Sequence, residues 1–184
     1  MISDLVNATN NIRKAFEKND LVKLRQLSND LIEEAALKSD TVLAQLSLIS
    51  YSLQKLLSKP HIAEAEKWLK IKTKIDVSLK KASNYLNEKN FKAFRKELDG
   101  ISNNVFEVDS SMGNYVANIY EKAKVKQASR AYALGLSLMQ SVNLTGTNEK
   151  DLLNYIGITK IHDRERAVKG IKQRKKVLEG IFSE

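Results

Sequence analysis

The chain has 184 residues, no cysteine and a formal net charge of +9, so disulfides, thiol chemistry and cysteine-ligated zinc are excluded together. With 42% hydrophobic residues it can bury a core, which sets it apart from disordered polyelectrolytes. Its start, Met1-Ile2-Ser3-Asp4-Leu5, lacks a basic and then apolar leader. Its most apolar window, Val42–Leu57, is interrupted by three serines, two glutamines and Lys55, so neither secretion nor membrane insertion is expected and the expected address is the cytoplasm.

All seven glycines fall from Gly100 onward, and Pro60 is the one proline. A first half without these punctuation residues predicts long helices joined by short polar corners. Leu5, Ala8, Ile12, Ala15 and Phe16 mark the first apolar stripe at helical spacing. After Asn19-Asp20, Leu24, Leu27, Leu31 and Ala35 mark a second. After Ser39-Asp40, Leu43, Leu46, Ser50, Leu53 and Leu57 mark a third. Pro60 ends that helix and opens the next turn.

Trp68, Ile71, Ile75, Leu79, Ala82 and Leu86 define a long fourth stripe, with Lys67, Lys70, Lys74 and Lys81 on the opposite face. Asn87–Asn90 is the next corner, and Phe91, Phe94, Leu98, Ile101 and Val105 resume the pattern. Ser110, Ser111 and Gly113 predict a break before another helix from Tyr115 to Lys126. Alternation at two residues is nowhere sustained, so no sheet is expected.

The predicted class is therefore all-α: an antiparallel helical bundle over residues 1–110 whose N-terminal hairpins have tetratricopeptide-like lengths and corners. No second copy follows at the repeat period, which favours a generic bundle over a repeat array. Residues 111–184 are expected to form a second part, a helix-turn-helix unit with a basic terminal helix.

The second part rests on Ala128–Gly157. In a helix-turn-helix a compact apolar residue on the first helix packs at the crossing. A glycine four positions later takes the left-handed turn, and apolar residues six and nine positions beyond it face inward. Val142, Gly146, Leu152 and Tyr155 have that spacing. Gly135 and Ser137 would start the first helix, with Leu138 and Met139 pointing inward. Asn148 would cap the second helix, with Asp151 at its third position, and Gly157 would end it.

The runs Ala131-Tyr132-Ala133-Leu134-Gly135-Leu136-Ser137-Leu138, Leu144-Thr145-Gly146 and Leu152-Leu153-Asn154-Tyr155-Ile156-Gly157 resemble the helix-turn-helix of small archaeal proteins and antitoxin-like regulators. The segment from Glu33 to His61 is also similar to archaeal all-helical proteins. Ser141-Val142 stands where the regulators have paired alanines, and Thr147 where a small apolar residue follows the turn glycine. The resemblance implies a fold more than an activity.

Charge sharpens the expected partner. Residues 1–60 hold 8 Lys/Arg against 7 acids, residues 61–110 hold 10 against 8, and residues 111–184 hold 13 against 7. Lys160, Arg164, Arg166, Lys169, Lys172, Arg174, Lys175 and Lys176 crowd one short stretch, which suits a polyanion. Its apolar face is too thin for a membrane. Together with Lys126, Arg130, Lys150 and Asn154 these residues form the expected nucleic-acid contact, to DNA or RNA. Lys150 and Asn154 are the candidates to meet base edges, although Glu149 and Asp151 beside them repel phosphate.

Catalytic signals are absent. His61 and His162 have no second ligand at helical spacing, and no phosphate-binding glycine loop, dinucleotide fingerprint or nucleophile elbow occurs. The expectation is a protein without enzymatic activity, metal or cofactor. It would bind nucleic acid or act as a regulator, and its N-terminal helices are available to a protein partner. The alternative is a protein–protein adaptor in which the helix-turn-helix is structural, recognisable by an exposed apolar groove lined by Leu46, Tyr51 and Leu53.

Overall fold

The computed structural model describes residues 2–63, 65–111 and 119–158. Every regular element among them is helical: α1 (Ile2–Glu17), α2 (Leu21–Lys38), α3 (Thr41–Leu57), the single turn α4 (Pro60–Ala63), α5 (Glu66–Asn87), α6 (Phe91–Ser111), α7 (Ile119–Ala133), α8 (Leu138–Thr145) and α9 (Glu149–Ile158). No strand occurs among the described residues. None of these helices is long and apolar enough to cross a membrane. The expected break at Gly113 and the start at Tyr115 lie outside the described residues. α7 does not stop at Lys126 but continues to Ala133.

Three of the chain reversals use the same two-residue device, and none uses glycine. Asn19, Ser39 and Lys89 each adopt a left-handed backbone, with φ of 52°, 54° and 57°. The N–H of the following residue reaches back over the helix end: Asp20 to Ala15 O at 2.8 Å, Asp40 to Ala35 O at 3.1 Å, Asn90 to Tyr85 O at 2.8 Å. That same residue then caps the next helix with its side chain. Asp20 Oδ1 accepts from Lys23 N–H at 2.9 Å, Asp40 Oδ1 from Val42 N–H at 2.8 Å, and Asn90 Oδ1 from Ala93 N–H at 3.1 Å. One dipeptide thus satisfies a helix C-terminus and the following N-terminus together.

The left-handed conformation is unfavourable for a residue carrying a Cβ. Ser39→Gly is therefore expected to stabilise the fold by about 0.5–1 kcal/mol, after the added unfolded-state entropy of glycine is discounted. A urea midpoint that rises with an unchanged slope would show this.

The contacts group the chain into two compact units: Met1–Leu31 with Gln45–Ala123, and Ile32–Ala44 with the chain from Lys124 onward. In the first unit α5 packs against both α1 and α6. The α1–α5 contact is specific. Arg13 donates from Nε to Asp76 Oδ1 at 2.8 Å and from Nη2 to Oδ2 at 3.2 Å. The hydrogen bond to Asp76 makes Arg13 hold its proton more firmly than usual. Phe16 meets Trp68 edge-on, with centroids 6.2 Å apart, and the Lys72 ammonium lies 5.7 Å from the Phe16 centroid. Tyr120, near the start of α7, hydrogen-bonds with Ser102 of α6, while burial pushes its phenol above the usual range.

α2 and α3 run antiparallel and approach closely through serines. Ser28 Oγ donates to Ser47 O at 2.9 Å, Ser47 Oγ donates to Ser28 O at 2.7 Å, and Ser50 Oγ donates to Leu24 O at 2.8 Å. All three serines are fully buried. The hydroxyls substitute for water on backbone carbonyls, so these three small side chains are buried with their own donors satisfied. α3 is consequently covered on most of its circumference. Leu46 and Leu53, expected to line an exposed groove, are both 0% exposed; Tyr51 is half-buried, with the Lys55 ammonium 5.4 Å from its ring centroid. Phe91, expected in the core stripe, is 40% exposed, because the first residue of α6 precedes the turn that packs inward.

The second unit has a finer-grained core. Ile32, Ala35, Ala36, Leu43 and Ala44 are buried there, as are Ala128, Ala131, Leu134, Leu144 and Leu152. Gln127, Ser129, Ser141, Thr145 and Thr147 are buried among them.

Candidate nucleic-acid interface

α8 begins where its local sequence dictates. Ser137 Oγ accepts from Gln140 N–H at 3.1 Å, and Gln140 Oε1 accepts from Ser137 N–H at 2.9 Å, a reciprocal capping box. α7 has already ended at Ala133, and Gly135, two residues before Ser137, turns the chain with a φ of 102°. α8 stops at Gly146, whose φ of 67° is left-handed and whose N–H bonds Val142 O at 2.8 Å. Asn148 caps α9, its Oδ1 accepting from Lys150 N–H at 2.8 Å. The polar residues Ser141 and Thr145 return their hydroxyls to carbonyls one turn back, at 3.0 and 2.9 Å.

Replacing Ser137 by alanine removes the cap from a helix of eight residues. The expected cost is about 1 kcal/mol, read from urea unfolding, with Ser137→Asp restoring most of it.

Leu152 is fully buried as expected, while Val142 and Tyr155 are half-buried. Two expectations need correction. Met139 is 53% exposed instead of inward: the stripe of α8 runs through Leu138, Ser141 and Thr145, and Met139 lies one step off it beside exposed Asn143. Gly157 does not end α9, which continues through it to Ile158.

The expected contact residues fall into two pairs and a remainder. On α7, Lys126 and Arg130 are one turn apart and both half-buried; the Lys126 ammonium lies 5.8 Å from the Tyr155 centroid, tying α7 to α9. On α9, Lys150 and Asn154 are exposed one turn apart on a common face. Lys160, Arg164, Arg166, Lys169, Lys172, Arg174, Lys175 and Lys176 lie outside the described residues, as does His162. Glu149 and Asp151 are exposed beside Lys150. Over the described part of this unit, Lys38, Lys124, Lys126, Arg130 and Lys150 are balanced by Glu33, Glu34, Asp40, Glu149 and Asp151.

A cavity of about 170 Å³ is lined by Ser39, Thr41, Leu136, Gln140, Asn143 and Leu144. It is smaller than the usual ~300–1,000 Å³ of small-molecule sites, and no titratable side chain faces it. Among the described residues no three His, Asp or Glu side chains come together as metal ligands. Comparison with models of protein families, with curated proteins and with solved structures finds no match.

Proposed function

We propose that this is a non-enzymatic nucleic-acid-binding or regulatory protein in which α8 and α9 act as a helix-turn-helix. The observation that supports it is the construction of that corner: a capped α8, a left-handed Gly146, a capped α9 with Leu152 buried beneath it, and Lys150 and Asn154 outward. In this arrangement Lys150 and Asn154 meet base edges, and Lys126 and Arg130 flank them. The acidic residues of the first turn of α9 leave little attraction for phosphate, so the backbone contacts fall to the basic stretch Lys160–Lys176.

Fluorescence titration of labelled duplex and single-stranded oligonucleotides at low salt tests this. Binding should weaken, with a shallower salt dependence, when Arg164, Lys172, Arg174 and Lys176 are all changed to glutamine. Binding that is indifferent to that change and to Lys150→Ala with Asn154→Ala would falsify the role given to this region.

A second reading, a protein–protein adaptor, is favoured by the exposed apolar side chains of Met139, Leu153 and Ile158 on α8 and α9. Recovery of one stoichiometric protein after nuclease treatment, lost on Met139→Lys with Leu153→Lys, would select it.

A further inference from the structure

The densest positive run among the described residues belongs to α5 and α6, not to α9. Residues 67–96 contain ten Lys/Arg and two acids, Asp76 and Glu88. Asp76 is already engaged by Arg13, and half-buried Lys72 donates to Asn19 Oδ1 at 2.7 Å. The other nine cations are exposed, and none forms an ion pair among the described residues. Glu88 is the single exposed carboxylate of the run.

Helical geometry aligns them. Lys67, Lys70, Lys74 and Lys81 stand within an arc of about 60° and span about 21 Å along α5. The corner before α6 then returns the chain, so that Lys92, Arg95 and Lys96 in its first turns stand beside the end of α5 that carries Lys81.

We infer that the α5–α6 hairpin is a second nucleic-acid surface, one that binds the phosphate backbone and is independent of α9. A straight cationic row on a rigid, packed hairpin fits a polymer of regularly spaced charge. A duplex lying along 21 Å presents about a dozen phosphates over that length. The surface carries no means of reading sequence, because its exposed groups are nearly all flexible ammonium side chains. A membrane is the poorer occupant. Trp68, Ile71, Ile75 and Leu79 of α5 are buried in the protein's own core. The apolar side chains left exposed on the hairpin, Leu69 and Val77 about 12 Å apart along α5 and Phe91 at the start of α6, are scattered single residues that make no continuous face to enter the acyl region. The partner class is shared with the proposed function, but none of the residues is, so either can fail alone.

The test compares three full-length proteins against a labelled 30-base-pair DNA duplex and vesicles containing phosphatidylserine. In the first variant Lys70, Lys74, Lys81 and Arg95 become glutamine; the second carries the Lys160–Lys176 changes given above; the third is Glu88→Lys. The hairpin variant is expected to bind the duplex about a hundred-fold more weakly at 50 mM salt, with the log–log salt slope reduced by about 3–4. Glu88→Lys is expected to tighten binding several-fold. An unchanged slope in the hairpin variant, with binding lost only in the second variant, overturns the inference while leaving the proposed function standing. Binding to vesicles and not to the duplex overturns it as well. Because Glu88→Lys is a gain of binding at an exposed site, a hairpin variant that failed to fold would not protect the inference from failure.

Discussion

Phe16→Ala is expected to destabilise the first unit by about 4 kcal/mol, a large share of the ~5–15 kcal/mol by which a domain of this size holds together. The ring is 1% exposed, meets Trp68 edge-on and lies beneath the Lys72 ammonium. Its removal leaves a cavity between α1 and α5 and takes away one side of the support for Trp68. Arg13, within one turn of Phe16, and Asp76, a little over two turns from Trp68, would hold the pair of helices too far apart for collapse to fill the gap. Trp68 is the only tryptophan, so urea unfolding followed by its fluorescence reads this contact directly. Phe16→Leu, which keeps most of the volume, is expected to cost under about 1.5 kcal/mol. A loss below 1 kcal/mol in the alanine variant would show that the ring does not couple the two helices.

Ser47→Leu is the second large effect, expected at about 3 kcal/mol, whereas Ser47→Ala is expected to cost about 1 kcal/mol or less. A hydrophobicity scale predicts the opposite order for a fully buried position. The structural reason is distance: Ser47 and Ser28 exchange hydroxyl-to-carbonyl hydrogen bonds at 2.7 and 2.9 Å, so the backbones of α2 and α3 leave no volume for an isobutyl group. Leucine would force the helices apart and strip Ser28 O of its partner. Denaturant midpoints of the two variants, compared at equal slope, decide between the readings.

Helix placement was legible because the chain marks its corners plainly. Asn19-Asp20 and Ser39-Asp40 each place a small polar residue before a capping carboxylate, and the apolar steps between them repeat at three and four. The capping of α8 at Ser137 and the turn at Gly146 were legible for the same local reason. Features that depend on a neighbour were not.

The serines of α3 look like a polar interruption until the carbonyls of α2 are placed against them, which is why Leu46 and Leu53 were expected on a groove. Met139 and Phe91 sit in first turns, where the apolar stripe has not yet been fixed by packing. The lysine face of α5 was visible in the sequence, but averaging hid the excess charge of α5 and α6 together. Six acids flank residues 67–96 at Glu64, Glu66, Glu97, Asp99, Glu107 and Asp109, and they bring the longer window close to neutrality. Only the exposure of the nine cations and the engagement of Asp76 by Arg13 separate the patch from its surroundings.

The repeated reversal at Asn19, Ser39 and Lys89 constrains how such a chain can change over time. Each corner is a closed set of main-chain and cap hydrogen bonds with no spare residue, so inserting one amino acid breaks the set and rotates the following helix by about 100°. Its core stripe would then face water. Length can therefore be gained or lost only near whole turns inside a helix, or in segments outside these corners, while outward side chains are free to drift. Among relatives of this protein, variation in length should leave these three dipeptides uninterrupted.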